Sequence, residues 1–234
     1  MNIENLLEED YKQGQVILID KPLDWTSFQV VNKVRWLIKQ RFKIKKIKVG
    51  HAGTLDPLAS GLLILCTGKF TKNIETYQAQ IKEYTGTITL GATTPSYDLE
   101  TEIDQTFDIS EISEEKIRHA THNFIGEIQQ QPPIFSALKK EGKRLYEYAR
   151  SGEEVEIPTR AVHISEFEIT TINLPNIDFR VVCGKGTYIR SLAHDFGKAL
   201  NNGAHLSALR RTMIGAFSVE DATSIESFRE TLAR

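Results

Sequence analysis

Within the stretch VGHAGTLDPLASGLLILCTG, residues 49–68, one carboxylate, Asp56, separates a glycine-rich loop from a run of hydrocarbon. Aspartate is seldom buried without a partner, so a carboxylate set against such walls needs a cation, a hydrogen-bond donor or a chemical task. Pro57 restricts Asp56 to extended backbone, and Gly50, Gly53 and Gly61 suit a chain that turns tightly or lies close to another surface. The same pattern also suits an aspartate that caps a turn before a buried strand. His51 stands in the same loop. Three further features could carry chemistry: Tyr84 in mid-strand, the segment GKGTYIR with Tyr188 and Arg190 at the start of a helix, and Asp20 with Lys21, a charged pair closing a buried strand.

Several chemistries lack their residues. No G-x-S-x-G motif is present, and GKGT is not a phosphate-binding loop because no Gly-Lys-Ser/Thr follows. His119 and His122, in HATH, have no cysteine or carboxylate companion at ligand spacing, so no metal site is expected. A glycosidase-type hydrolase would want a second carboxylate beside Asp56, and none is evident. Cys66 and Cys183 lie far apart in apolar contexts and read as buried free thiols, which fits a reducing cytoplasm. No apolar run approaches the ~20 residues of a membrane helix, and the acidic N-terminus lacks the regions of a signal peptide. A cytoplasmic protein, without a membrane partner, is the expectation.

The elements that must position these residues mix without strict βα alternation over 234 residues, so the fold class is α+β. GQVILIDKP reads as a strand, and DWTSFQVVNKVRWLIKQ as a helix capped by Asp24 or Thr26 with Phe28, Val31, Val34 and Ile38 on one face. GLLILCTG is a buried strand, TKNIETYQ a helix and KEYTGTITLG a half-buried strand. SEEKIRHATHNF opens as a helix at Ser113, YEYARSG is a short helix ending in glycine, RAVHISEFEITTI and NIDFRVVC are strands joined by NLPN, TYIRSLAHDFGKAL is a helix, and LSALRRTMIGAFSV is the last strand region. Residues 1–13 read as an acidic extension and 14–234 as one domain. Net charge is −2, yet Lys33 to Lys48 is dense in cations without a single acid, and residues 98–115 form an acidic counterweight. Such segregation can set a basic face beside an acidic body, and Lys43, Lys45, Lys46 and Lys48 are candidate phosphate contacts.

Taken in order, GHAGTLDPLASGLL, DKPLDWTSF, KEYTGTITLGATT, QQPPIFSALKKEGKRLYEYARSG, CGKGTYIRSLAHDFG and GAHLSALRRTMIGAF resemble the TruB-type tRNA pseudouridine-55 synthases from about Gly14 to Phe217. The resemblance implies a mixed, largely antiparallel sheet flanked by helices, with a cleft across the sheet. It further implies isomerisation of uridine in the T-loop of tRNA, without a cofactor or metal. Asp56 matches the aspartate required for catalysis and Tyr84 the tyrosine that stacks on the target uracil. Tyr188 and Arg190 match a second active-site segment, with Arg190 expected to pair with Asp56. His51 matches a histidine that contacts RNA where the base has left its stack, Leu209 an apolar residue lining the uracil pocket, and Lys21 with Pro22 a pair near the site. The expected partner is the T-stem-loop, no obligate protein partner is evident, and a monomer is expected. Two departures stand out: TTPSYDLE carries Pro95 where relatives often have an acid and retains only Asp98, and no separate C-terminal PUA domain is expected. A tRNA-binding folding chaperone of the same fold without catalysis is the rival reading, disfavoured by the joint presence of Asp56, Tyr84, Tyr188 and Arg190.

Because His119 and His122 lack a companion at ligand spacing, turnover at fixed magnesium is expected to be indifferent to a zinc-selective chelator. A loss of turnover that added zinc restores would return His119 and His122 to the chemistry.

Overall fold

The structure is a computed structural model that describes residues 6–233. Helix α1 (Glu8–Gln13) leads into β1 (Val16–Lys21), α2 (Ser27–Phe42), β2 (Val49–His51), β3 (Ala59–Thr67), α3 (Ile74–Ala79) and β4 (Lys82–Leu90). Next come β5 (Ala92–Thr93), β6 (Gln105–Thr106), α4 (Glu114–Ala120), β7 (Gly126–Gln130), β8 (Lys139–Lys140), β9 (Lys143–Arg144) and α5 (Leu145–Ser151). The chain continues through β10 (Arg160–Asn173), β11 (Asn176–Cys183), α6 (Ile189–Ala199), β12 (Ala204–Ile214), β13 (Phe217–Ser218) and α7 (Ile225–Ala233). The architecture is α+β, a large and mostly antiparallel sheet flanked by helices. It divides into two compact units, Met1–Tyr84 with Arg210–Arg234, and Thr85–Leu209.

In the first unit the strand order is β1-β3-β12, with β2 also on β3 and β13 on β12. Strand β3 explains the hydrocarbon run behind Asp56, because both of its faces are covered. Leu63 and Leu65 join Val30, Val34, Ile38 and Phe228 of α2 and α7, while Leu62, Ile64 and Cys66 pack with Val16, Ile214 and Val219. Successive strand residues point to opposite faces, so a strand covered on both sides reads as continuous hydrocarbon rather than alternation. Antiparallel pairing sets Leu18 opposite Ile64 and Gly50 opposite Cys66, which fixes the Asp56 loop between two strands of one ladder.

Helix α2 begins at Thr26 rather than Asp24: the Thr26 hydroxyl accepts the Gln29 N–H, and the Gln29 side chain accepts the Thr26 N–H at 2.7 Å. One expected core residue is misplaced. Phe28 is 62% exposed, and the buried face is carried by Val30, Val31, Val34, Leu37 and Ile38. At 100° per residue Phe28 lies about 200° from Val30, on the far side of the helix. The segment 1–13, expected as an acidic extension, contributes α1, whose Tyr11 is fully buried with Ile38 and Leu63; residues 1–5 of it lie outside the described residues. Helix α7, with Phe228 and Leu232 in the same core, completes the unit.

In the second unit the order is β12-β4-β11-β10-β7. Strands β10 and β11 form the hairpin read from NLPN, closing at Asn173 opposite Asn176. Phe167 on β10 meets the rings of Phe124, Phe179 and Phe196 at 6.1, 6.0 and 5.4 Å, all near edge-to-face, which packs α6 onto the sheet. Helix α5 ends at Gly152 in the left-handed conformation, in keeping with its terminal glycine. Both cysteines are buried and free.

Gly61 shows how tightly β3 meets β12. Its φ is +104°, and a Cβ there would lie 2.3 Å from the Arg211 carbonyl oxygen. Gly61→Ala is therefore expected to cost at least about 2 kcal/mol, from backbone strain and overpacking together. An unchanged urea midpoint would show that β12 can move aside freely.

Candidate active site

The Asp56 loop is held by its backbone on both sides. The Ala52 N–H donates to the Ile64 carbonyl at 2.8 Å, and the Ser27 hydroxyl both accepts the Leu55 N–H at 2.8 Å and donates to the Leu55 carbonyl at 3.0 Å. Past the aspartate, the Pro57 carbonyl accepts the Asp24 N–H at 2.9 Å, and the Asp56 carbonyl accepts the Ala59 N–H at 3.1 Å. Arg211 joins the loop to β3: its Nη2 donates to the Gly53 carbonyl at 3.1 Å and its Nε to the Leu62 carbonyl at 2.8 Å. Fixed backbone on either side sets the direction in which the half-buried Asp56 side chain leaves the loop.

Lys21, expected only near the site, is fully buried at the end of β1. Its ammonium donates to the carbonyls of Trp25 at 2.6 Å, Pro22 at 2.9 Å and Pro57 at 3.4 Å. Burial pushes its pKa down to about 8; the Asp56 and Asp24 carboxylates pull it back in part, and Arg211 adds to the depression. His51, at the end of β2, has its imidazole pKa lowered by burial, with a Gly53 backbone hydrogen bond opposing and Arg211 reinforcing the shift. It is thus a neutral ring at pH 7. Tyr84 is buried within β4, 9% exposed. Lys43, Lys45, Lys46 and Lys48 are exposed.

The second unit holds Tyr188, Arg190 and Leu209. Tyr188 is the residue before α6, and Gln130 grips its backbone twice, accepting the N–H at 2.7 Å and donating to the carbonyl at 3.0 Å. The Arg160 guanidinium stands 4.6 Å above the Tyr188 ring and also bonds the Gly186 carbonyl. Arg190 is 4% exposed; its Nε lies 3.6 Å from Asp98 and its Nη1 donates to the Ser96 carbonyl at 3.3 Å. Asp98 is itself set by the Thr94 hydroxyl on its carbonyl at 2.6 Å and by the Glu100 N–H on its carboxylate at 3.0 Å. The TTPSYDLE loop therefore holds a guanidinium in place. Leu209 is half-buried in β12. Asp56 and Arg190 belong to different units.

Comparison with known proteins identifies the class. The family model for TruB family pseudouridylate synthase (N terminal domain) matches residues 39–189, and that for tRNA pseudouridylate synthase B C-terminal domain matches residues 190–234. The fold is thus that of the pseudouridylate synthases. Two relatives named tRNA pseudouridine synthase B are highly similar: that of Flavobacterium johnsoniae is 63% identical over 96% of this chain and 98% of its own length, and that of Phocaeicola vulgatus 56% identical over 95% of each. Within that class, the chain belongs to the TruB family. A chain in the crystal structure of a Cbf5-Nop10-Gar1 complex superposes with a TM-score of 0.71 at 32% identity; 97% of this chain is covered, spanning 57% of that one.

Three residues of these constellations escape a reading of the sequence: Ser27, Arg211 and, as a partner of Arg190, Asp98. Each acts through the backbone or through another side chain, and none has a motif of its own.

The Lys21 environment makes a testable statement. Its folded pKa of about 8 lies below the 10.5 of an ordinary lysine, so between these values the unfolded chain binds more protons. The stability this group contributes is fully present above the unfolded value and is lost as pH falls through the folded one. Relative to Lys21→Met, the wild-type protein is expected to gain roughly 3 kcal/mol across that window. A difference between the two proteins that stays constant in urea unfolding from pH 8 to 10.5 would show that the charged amine reaches water.

Proposed function

We propose that this protein converts uridine to pseudouridine in tRNA, at position 55 of the T-loop, with Asp56 as the catalytic carboxylate. Supporting the reading is a carboxylate loop, in a TruB-family chain, whose backbone is pinned immediately before and after the aspartate, at Leu55 and Pro57. The reaction breaks the C1′–N1 bond, turns the uracil, joins C5 to C1′, and moves the C5 proton out as N1 gains one. Substrate and product are isomers, so no electrons or co-reactants are required.

Within this reading, Asp56 acts in its ionised form, as nucleophile or as the base for the 2′ proton. Extracting the target base costs a few kcal/mol of unstacking, which an aromatic face at Tyr84 offsets in part. His51, neutral at pH 7, is proposed as the RNA contact where the base has left its stack. Tyr188, Arg190 and Leu209 are the proposed substrate groups of the second unit. A splayed, folded hairpin such as the T-loop suits recognition by shape and stacking better than a plain duplex does.

Asp56→Asn removes the charge and almost no volume. It is expected to lower pseudouridine formation in unmodified tRNA below about one percent of wild type, while tRNA binding changes only a few fold. The measurement is site mapping of pseudouridine after incubation with purified protein and no added cofactor. Product formed at the wild-type rate would remove Asp56 from the chemistry, and product at another uridine would replace position 55.

A further inference from the structure

The basic tract after α2 does more than raise the local charge. Residues 43–48, KIKKIK, are pinned by their isoleucines: Ile47 is buried in the first unit's core and Ile44 packs against it. The lysines between them are thereby turned outward at set positions rather than left on a free tail. Lys45, Lys46 and Lys48 line a cleft of about 500 Å³ together with Arg35 and Lys39, one turn apart on α2, and Thr71. Its walls are tied by the backbone as well: the Gly68 N–H donates to the Lys48 carbonyl at 2.9 Å, the Ile44 N–H to the Lys39 carbonyl at 3.2 Å, and Arg35 Nη2 to the Val49 carbonyl at 3.4 Å. Lys43, the left-handed residue that ends α2, does not line the cleft.

Among the described residues no carboxylate pairs with any of these five cations, and the chain carries no acid between Asp24 and Asp56. Like charges gathered on a fixed wall repel one another and weaken the fold, a cost that a polyanion removes on binding. An acidic peptide would also bring negative charge. The cleft, however, is lined by four ammoniums, one guanidinium and one hydroxyl, runs along a helix flank, and sits on a chain whose other functional features are those of an RNA-modifying enzyme. We infer that this cleft is a phosphate-binding groove that seats the sugar–phosphate backbone of the substrate RNA, with Lys45, Lys46 and Lys48 as its principal contacts and Lys43 outside it. This rests on the proposed tRNA activity for its occupant.

The test is the salt dependence of tRNA binding, measured by fluorescence anisotropy on the full-length protein. Removing one lysine–phosphate pair flattens the log–log slope by roughly 0.7 to 0.9, so K45Q/K46Q/K48Q is expected to reduce its magnitude by about 2 to 3. The charge-preserving triple K45R/K46R/K48R is expected to keep the wild-type slope, and K43Q to keep it too, although it removes one charge from the same tract. An unchanged slope in the glutamine triple, or a K43Q effect as large per residue as that of the triple, would overturn the groove in favour of a diffuse basic face. Failure of the wild-type protein to make pseudouridine would instead defeat the proposed activity, and the slope comparison would still decide the groove. Thermal melting of all three variants keeps misfolding from being mistaken for weakened phosphate binding.

Discussion

A guanidinium that is 1% exposed must find acceptors inside the protein, and Arg211 takes them from the backbone, at Gly53 and Leu62. A buried charge is expensive unless it is hydrogen-bonded, so this side chain commits the loop and the strand to one geometry. Much of the surrounding sequence follows from that commitment. Gly61 is bare because the Arg211 backbone passes where its Cβ would be, and Gly53 takes φ +105° beside the same guanidinium. Lys21 repeats the solution with carbonyl acceptors from Pro22, Trp25 and Pro57. Carbonyls satisfy a cation without cancelling its charge, so both groups leave a positive field around the loop that carries Asp56.

The second unit works by a related device with a different acceptor. Arg190 is paired to Asp98, and the Thr94 and Ser96 hydroxyls hold the Asp98 carbonyl. The TTPSYDLE loop, which contains Pro95, is thus spent on positioning a buried arginine. Tyr188 has its backbone fixed by Gln130 and its ring covered by the Arg160 guanidinium. In both units long-range hydrogen bonds hold the backbone that carries the candidate site residues, the arrangement a preorganised site requires.

Charge segregation is the other organising feature. With 29 Lys and Arg against 31 Asp and Glu, net charge says little about partners. The isoleucine spacing in KIKKIK turns composition into geometry, because the isoleucines are drawn into the core and the cations between them are set on one wall.

What the sequence by itself determined is local or periodic. Strand β3 was legible from its hydrocarbon run, α2 from its apolar spacing and cap chemistry, α5 from its terminal glycine, and the β10–β11 hairpin from NLPN; the ordered motifs carried the family and the position of Asp56. Its errors have the same origin. An apolar residue near a helix start reads as core, as Phe28 does, and only the packing of α2 against β1, β3 and α7 decided that Val30 faces inward. The acidic segment around Tyr11 reads as an extension until the core that receives the tyrosine is present. Tertiary structure alone decided that Arg211 reaches Gly53 and Leu62, that Asp98 meets Arg190, and that Lys21 is buried beside the aspartate loop. Those partners lie far apart along the chain, and a long-range hydrogen bond leaves no periodicity in a single sequence: its two ends are chosen by how the strands pack.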